Sequence, residues 1–195
     1  MPPTDGARAS VFSRLESIWR PEVQRWHTPS LGRAECELLG CLAAASGATR
    51  ALELGTAIGL SAAYIAEGMG PRGRVVAVDL DARRAAKARE LWAAAGLEER
   101  ITLREGDALA LLPDLGGDFD LVFVDLLWEI WTEDRGRRLA RDVATALGTG
   151  GLLVADNCSE RIPAAQGFLA EVAAGPFRLW TVVPLRDGML VATRL

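Results

Sequence analysis

The sequence predicts an α/β fold: a mainly parallel sheet of seven strands with helices on both faces, ending in an antiparallel hairpin. Three observations predict it. From residue 50 onward, short apolar runs alternate with amphipathic segments of helix length, the pattern of strands joined by crossover helices. The last two runs are separated only by Pro184-Leu185-Arg186-Asp187-Gly188, too short a link for a crossover, so those two strands run antiparallel. Acids also stand at the ends of the first five strands or just past them: Glu53, Asp79, Asp107, Asp125 and Asp156. In an open α/β sheet, ligands bind beyond the carboxyl ends of the strands, near the point where strand order reverses. The five acids therefore mark one edge of the sheet as functional.

Ahead of the sheet, residues 8–20 and 33–46 read as two helices, split by Pro21 and the linker Trp26-His27-Thr28-Pro29-Ser30. Strands are placed at 50–55, 74–79, 100–105, 119–125, 150–156, 177–183 and 188–194. Helical segments follow the first five, at 60–69, 82–95, 107–112, 132–146 and 163–174, with Gly96 suited to cap the second of these. There is no internal repeat and no low-complexity stretch. Residues 1–7 are expected to be disordered. Residues 8–195 are expected to form one domain, N-terminal helices over 8–47 and a Rossmann-like core over 48–195.

Composition narrows the function classes. Half of the 195 residues are hydrophobic, yet no apolar run reaches the roughly 20 residues of a membrane span. The N-terminus has no signal-peptide apolar core, so a cytoplasmic protein with no membrane partner is expected. A formal charge of −4 argues against a nucleic-acid partner, whose binding surface would be basic. Cys36, Cys41 and Cys158 are odd in number and follow no C-x-x-C spacing, which gives neither a disulfide framework nor a zinc site. Lys87 and His27 are the only lysine and histidine, so ordinary catalytic bases are scarce.

The stretch Ala51-Leu52-Glu53-Leu54-Gly55-Thr56-Ala57-Ile58-Gly59-Leu60-Ser61 reads as a buried strand ending in an acid, a glycine turn, and a small-residue helix start. Backbone approaches a ligand closely only where no Cβ intervenes, and Glu53 offers a carboxylate to a positive group. Arg74-Val75-Val76-Ala77-Val78-Asp79 ends in a second acid at the distance that suits ribose hydroxyls. The spacing Gly55-x-x-x-Gly59, with an acid before it, differs from the G-x-G-x-x-G of dinucleotide sites. It favours S-adenosylmethionine over a nicotinamide cofactor.

From about residue 30 to the end, the chain resembles the cation-dependent small-molecule O-methyltransferases, the group that includes catechol and caffeoyl-coenzyme A O-methyltransferases. The resemblance rests on Leu52-Glu53-Leu54-Gly55-Thr56, Ala95-Gly96-Leu97, Arg100-Ile101, Gly106-Asp107-Ala108, Phe119 through Asp125, Gly150 through Asn157, and Pro184 through Gly188, in that order and spacing. It implies the class I methyltransferase sheet. It implies that Glu53, Gly55, Ala57, Gly59 and Ser61 line the methionine and backbone side of the donor, that Asp79 takes the ribose, and that Asp107 and Ala108 meet the adenine. Asp125, Asp156 and Asn157 fall where that family binds a divalent cation, with Asp125 also bordering the donor and taking part in catalysis. Two carboxylates and an amide oxygen form a hard, oxygen-only set suited to Mg²⁺, Mn²⁺ or Ca²⁺.

Two departures stand out. The family's lysine three residues after its first metal aspartate is here Trp128, which has no proton to exchange near neutral pH. Three readings stay open: the metal acidifies the hydroxyl while water or His27 takes the proton; the acceptor is already anionic, with no metal required; or the chain is a catalytically silent, donor-binding regulatory or partner subunit. His27 is equally readable as a surface residue. Trp26, Trp128 and Trp131 could form an aromatic wall for a flat acceptor. The second departure is a short segment after Asn157, which leaves the acceptor side open or completed by another subunit; Cys158 is expected to be inert unless it is solvated. The expected function is methyl transfer from S-adenosylmethionine to a hydroxyl of a small aromatic or polyketide-like acceptor, with a divalent cation. By the resemblance the N-terminal helices could form a homodimer interface. An NAD-dependent oxidoreductase fits the sheet but not the glycine spacing.

Overall fold

The computed structural model describes residues 11–27 and 30–195; the disorder expected for residues 1–7 lies outside the described residues. Seven strands form one sheet: β1 (Arg50–Leu54), β2 (Arg74–Asp79), β3 (Ile101–Glu105), β4 (Phe119–Val124), β5 (Leu147–Ala155), β6 (Phe177–Val183) and β7 (Met189–Arg194). Their spatial order is β3-β2-β1-β4-β5-β7-β6, with β1 to β5 parallel and β7 antiparallel to both β5 and β6. The expected mainly parallel sheet with a C-terminal hairpin is present. β1 lies between β2 and β4, pairing Leu54 with Val78 on one side and with Val124 on the other. The chain leaves β1 toward β2 and returns later on the opposite side to β4. The switch point therefore opens between the loops that follow β1 and β4.

The helices are α1 (Val11–Trp26), α2 (Arg33–Ala45), α3 (Leu60–Met69), α4 (Ala82–Ala94), α5 (Ala108–Leu111), α6 (Leu127–Ile130), α7 (Glu133–Ala146) and α8 (Pro163–Ala174). Alternation along the central strands divides the core. Ala51, Leu121, Phe123 and Val154 face the helices α1 to α4, whereas Leu52, Leu54, Val122, Val124 and Leu153 face α5 to α8. Strands buried on both faces need near-continuous apolar runs, and β1 and β4 have them. Glu53 is the exception in β1: it points into the core on the α1–α4 side and is fully buried. No helix among the described residues is long and apolar enough to cross a membrane.

Three boundaries differ from expectation. The first helix does not stop at Pro21 but runs through it to Trp26. Proline removes one ladder hydrogen bond, and packing on both sides of the break carries the helix across it. Leu15 and Trp19 are fully buried before the proline, and Val23 and Trp26 pack against the same core after it. β5 begins at Leu147, directly where α7 ends, so no loop separates them. A short helix, α6, follows β4 where no element was expected; Leu127 and Ile130 are its buried residues.

Trp19 ties α1 to the site. Its indole Nε1 donates a 2.8 Å hydrogen bond to the Ile58 carbonyl, inside the loop between β1 and α3. Trp19→Phe keeps much of the ring volume but leaves that carbonyl without its donor. Urea unfolding should show a loss of about 1–3 kcal/mol with an unchanged slope.

Candidate functional site

Asp79 ends β2, Asp125 and Asp156 follow β4 and β5 directly, Asp107 caps α5 after β3, and Glu53 lies inside β1, one residue from its end. The loop after β1 turns sharply: Gly55 has φ +90°, Ala57 +48° and Gly59 +84°. A Cβ on Gly55 would collide with the carbonyl of Asp125, so only glycine lets the two loops pass at this distance. The Gly55 and Thr56 amides donate to the Val78 carbonyl at 2.9 and 3.1 Å, and the Asp125 amide donates to Leu54 at 2.8 Å. The glycine turn is thereby fastened to the strands on both sides of β1.

Asp79 ends β2 and organises the next wall. Its Oδ2 accepts the Ala57 amide at 2.7 Å and its Oδ1 accepts the Asp81 amide at 2.9 Å. Each oxygen keeps a free lone pair for a ligand hydroxyl. Asp107 caps α5 through a 2.8 Å bond from the Leu109 amide, and its carboxylate stands 3.8 Å from Arg135. Asp79, Asp107 and Ala108 share one cavity of about 250 Å³ with the apolar side chains of Leu80, Leu109, Leu126 and Ile130. A second cavity of about 330 Å³ joins it at Gly55, Asp79, Leu126 and Glu129, and is bounded by Ala57, Asp125, Trp128 and Asn157. The cleft thus has two halves: one sets Leu80, Leu109, Leu126 and Ile130 among Asp79, Asp107, Glu129 and Arg135, and the other sets Asp125 and Asn157 against Trp128 and the Arg84 guanidinium.

Burial controls the electrostatics. Glu53 is pushed up to about 7 by burial, against the opposing pull of the Ser61 and Thr56 hydroxyls. Those hydroxyls lie alongside without closing on it, and both Glu53 oxygens are buried without a hydrogen-bond partner among the described residues. Asp156 is pushed up to about 6, again chiefly by burial. Asp125 rises well above the ordinary carboxylate range through burial and then through the charge of Asp156. Burial also raises Asp79. Carboxyls held out of water with too few donors favour a cationic ligand.

Asp125 and Asp156 follow adjacent strands, β4 and β5, and the Asp156 amide bonds to Val124 at 2.9 Å. Asn157 takes φ +60° and its Nδ2 lies 3.2 Å from Asp156 Oδ2. Asp156 Oδ1 is buried with no partner among the described residues. An orphaned carboxylate oxygen beside a second, partly buried carboxylate and an amide suits a hard divalent cation. Among the described residues, no three or more His, Cys, Asp and Glu side chains gather closely enough to hold a metal by themselves. Any such ion would rest on the two aspartates and Asn157, with water or ligand oxygens.

Other predicted residues separate here. Trp128 borders the cleft, 46% exposed, and stacks on Trp131 with ring centroids 5.6 Å apart. Trp26 is not part of that stack; it lies under the Arg83 guanidinium, near Arg25 and Arg84. His27 is exposed at the end of α1 and borders none of the cavities described above. Cys158 is buried and burial pushes its thiol up to about 12, in keeping with the inert thiol expected when solvent is absent. Lys87 is largely covered where α4 meets α1, pairing with Glu22 of α1 and with Glu90. The sequence reading missed Leu126, Ile130, Glu129 and Arg135 as cleft residues. Only Leu126, next to Asp125, carried a usable signal.

A sequence profile of the family described as O-methyltransferase matches residues 15–195. The chain is 36% identical over 170 residues to a catechol O-methyltransferase of Mycobacterium tuberculosis, covering 82% of this chain and 74% of that protein. It is 34% identical to a catechol O-methyltransferase of Niastella koreensis, covering 78% of this chain and 66% of that one. Among solved structures, an O-methyltransferase from Bacillus cereus in complex with S-adenosylhomocysteine superposes with a TM-score of 0.78 at 23% identity, covering 100% of this chain and 93% of that one. At that identity the likeness speaks for the fold.

The burial of Glu53 makes a prediction about pH. Its folded pKa, about 7, lies above its unfolded value of 4.5, so between the two the folded state binds more protons than the unfolded state. The stabilisation is complete below the lower value and is lost as pH rises through the upper one. In donor-free protein with chelator, wild-type stability should fall between about pH 5 and about pH 8. Glu53→Gln, which cannot ionise, should remove about 1–3 kcal/mol of that fall in chemical unfolding. Asp125 and Asp156 act in the same direction, so some slope should remain.

Proposed function

The chain belongs to the O-methyltransferase family and is an enzyme; on that premise we propose that it transfers the methyl group of S-adenosylmethionine to a hydroxyl of a small aromatic or polyketide-like acceptor, assisted by a divalent cation. The observation that carries this reading is the two-part cleft, in which a half walled by Leu109, Leu126 and Ile130 with Asp107 meets a half holding Asp125 and Asn157 at Gly55 and Asp79. The slot between Leu109, Leu126 and Ile130 suits an adenine, with Asp107 at its edge. Asp79 suits the ribose, since a carboxylate accepting two hydroxyls makes charge-assisted bonds. Ala57, Ser61 and the buried Glu53 then meet the methionine end, and Glu53 gains a positive partner for a charge that burial disfavours.

This placement leaves the methyl group facing the half of the cleft that holds Asp125, Asp156, Asn157 and Trp128. Asp125, Asp156 and the Asn157 amide would hold a divalent cation, which when bound supplies Lewis acidity that makes a neighbouring hydroxyl more acidic. The acceptor oxygen donates an electron pair to the methyl carbon as the carbon–sulfur bond breaks, and the sulfonium becomes a neutral thioether. The hydroxyl proton leaves to water on the open side, because Trp128 can neither accept nor release it. Trp128 and Trp131 offer a stacked aromatic surface to a flat acceptor. The two relatives named catechol O-methyltransferase support a dihydroxy-aromatic acceptor. Most of the rate would come from holding the two reacting atoms in line and in a fixed electrostatic field.

Calorimetry with S-adenosylhomocysteine and a turnover assay with catechol test the reading. Chelator should lower turnover by roughly 100-fold, and added Mg²⁺ should restore it. Asp156→Ala should lose a similar factor while still binding S-adenosylhomocysteine. Turnover untouched by both treatments would remove the cation from the reaction, and no binding at millimolar concentration would remove the donor.

A further inference from the structure

The turn between β6 and β7, Pro184-Leu185-Arg186-Asp187-Gly188, is a motif that the proposed chemistry does not use. It is firmly built. The Leu185 amide bonds to Val183 at 2.8 Å, the Gly188 amide to Leu185 at 2.7 Å, and the Cys158 amide to the Gly188 carbonyl at 2.9 Å. The last of these fixes the turn beside Asp156 and Asn157. Arg186 stands at its apex with φ +41°, a left-handed conformation that a non-glycine residue adopts at a cost.

From that apex Arg186 reaches across to the segment joining α1 and α2. Its Nη1 donates to the Ser30 carbonyl at 3.0 Å and lies 3.5 Å from Glu35 Oε2. Glu35 is only 2% exposed, and among the described residues its one ion pair is with Arg186. The same Glu35 oxygen accepts the Gly32 amide at the N-terminus of α2, half of a capping box since glycine has no side chain to return the bond, while Oε1 is buried and unpartnered among the described residues. A buried carboxylate depends on its counter-charge, and truncating the arginine leaves it unpaired. One guanidinium thus holds Ser30 directly and Gly32 through Glu35. Between those two points lies Leu31. Ser30 and Leu31 line a small cavity together with Thr56, Ala57, Ser61 and Asp125, of which Ala57 and Ser61 are assigned above to the methionine end of the donor.

We propose that Arg186 is a positioning residue for the methyl donor: with Glu35 it clamps Ser30-Leu31-Gly32 across the methionine end of the donor site. The clamp rests on the functional reading given above. Removing the guanidinium frees the strap, and donor binding then has to order it again. The loss therefore falls on donor affinity more than on the chemical step.

The test measures S-adenosylhomocysteine affinity by calorimetry in chelator, so that any effect of Arg186 on Asp156 as a cation ligand is not read. Arg186→Gln should weaken binding about tenfold, and Arg186→Lys should recover most of it. Under turnover conditions the KM for the donor should rise by a similar factor, while kcat and the KM for catechol change less than about threefold. Glu35→Gln keeps an acceptor for the Gly32 amide but loses the charge, and should weaken donor binding in the same direction if Arg186→Gln does not fold. Hydrogen exchange across Leu31–Glu35 should slow on ligand binding in the wild type and less so in Arg186→Gln. Affinity within twofold of wild type in both Arg186→Gln and Glu35→Gln overturns the clamp. So does an equal rise in donor and acceptor KM that lysine fails to rescue. Wild-type protein that does not bind S-adenosylhomocysteine overturns the functional reading instead.

Discussion

At the ends of β1 and β4 two chain segments cross with almost no space between them, and the cleft depends on that crossing. Gly55 packs against the Asp125 carbonyl while the Asp125 amide bonds back to Leu54. Because the two segments touch, both cavities share Gly55, Asp79, Leu126 and Glu129. Sheet topology brings the two loops to one place, but only a residue without a Cβ lets them close. Fold and site meet at this glycine.

The second constraint is the concentration of buried acid around that crossing. Glu53, Asp125, Asp156 and Asp79 all have pKa values raised chiefly by burial. A free protein gains nothing in stability from holding these groups out of water, and each carries a desolvation cost. Such an arrangement makes physical sense where positive ligands arrive, since these relieve the cost and gain strength from the low local dielectric. A sulfonium with an ammonium on one side and a divalent cation on the other are two such ligands. The acids divide between them by position: Glu53 points inward from β1, and Asp156 sits past β5.

Much of this was legible in the sequence because the strongest signals there are local. Strand β1 and its glycine turn, β2 with Asp79, and β4 with Asp125 are continuous apolar runs ended by an acid, and the structure places each within a residue or two of expectation. The helix through Pro21 was not legible, because its continuation depends on burial at Trp19 on one side and at Val23 and Trp26 on the other, contacts made with distant parts of the chain. The role of α6 was hidden for a related reason. Its four residues are too few to show a helical period, yet Ile130 and its neighbour Leu126 wall the cleft. The bond from Arg186 to Ser30 spans 156 positions, and no spacing rule connects the two. The sequence reading saw the residues that strands carry and missed those that packing delivers.

That division separates the two halves of the cleft. The half proposed for the donor is made of strand ends and a backbone-bonded turn, which leave little room for adjustment: Ala57, Gly59 and Asp79 are each fixed by hydrogen bonds between main-chain groups or to a carboxylate. The acceptor half has Trp128 where its resemblance called for a lysine, and Trp128 and Trp131 stand 46% and 55% exposed, stacked chiefly on one another. Replacing a flexible cation by a broad ring exchanges proton chemistry for surface area, since indole can stack and donate one N–H but cannot titrate. On the proposed reading, deprotonation then falls to a cation held by Asp125 and Asp156 and to solvent at an open wall. An acceptor whose hydroxyl is already acidic loses least by that exchange, and a flat one gains most. The physical demands on the acceptor follow from the aromatic pair, just as those on the donor follow from Gly55 and Asp79.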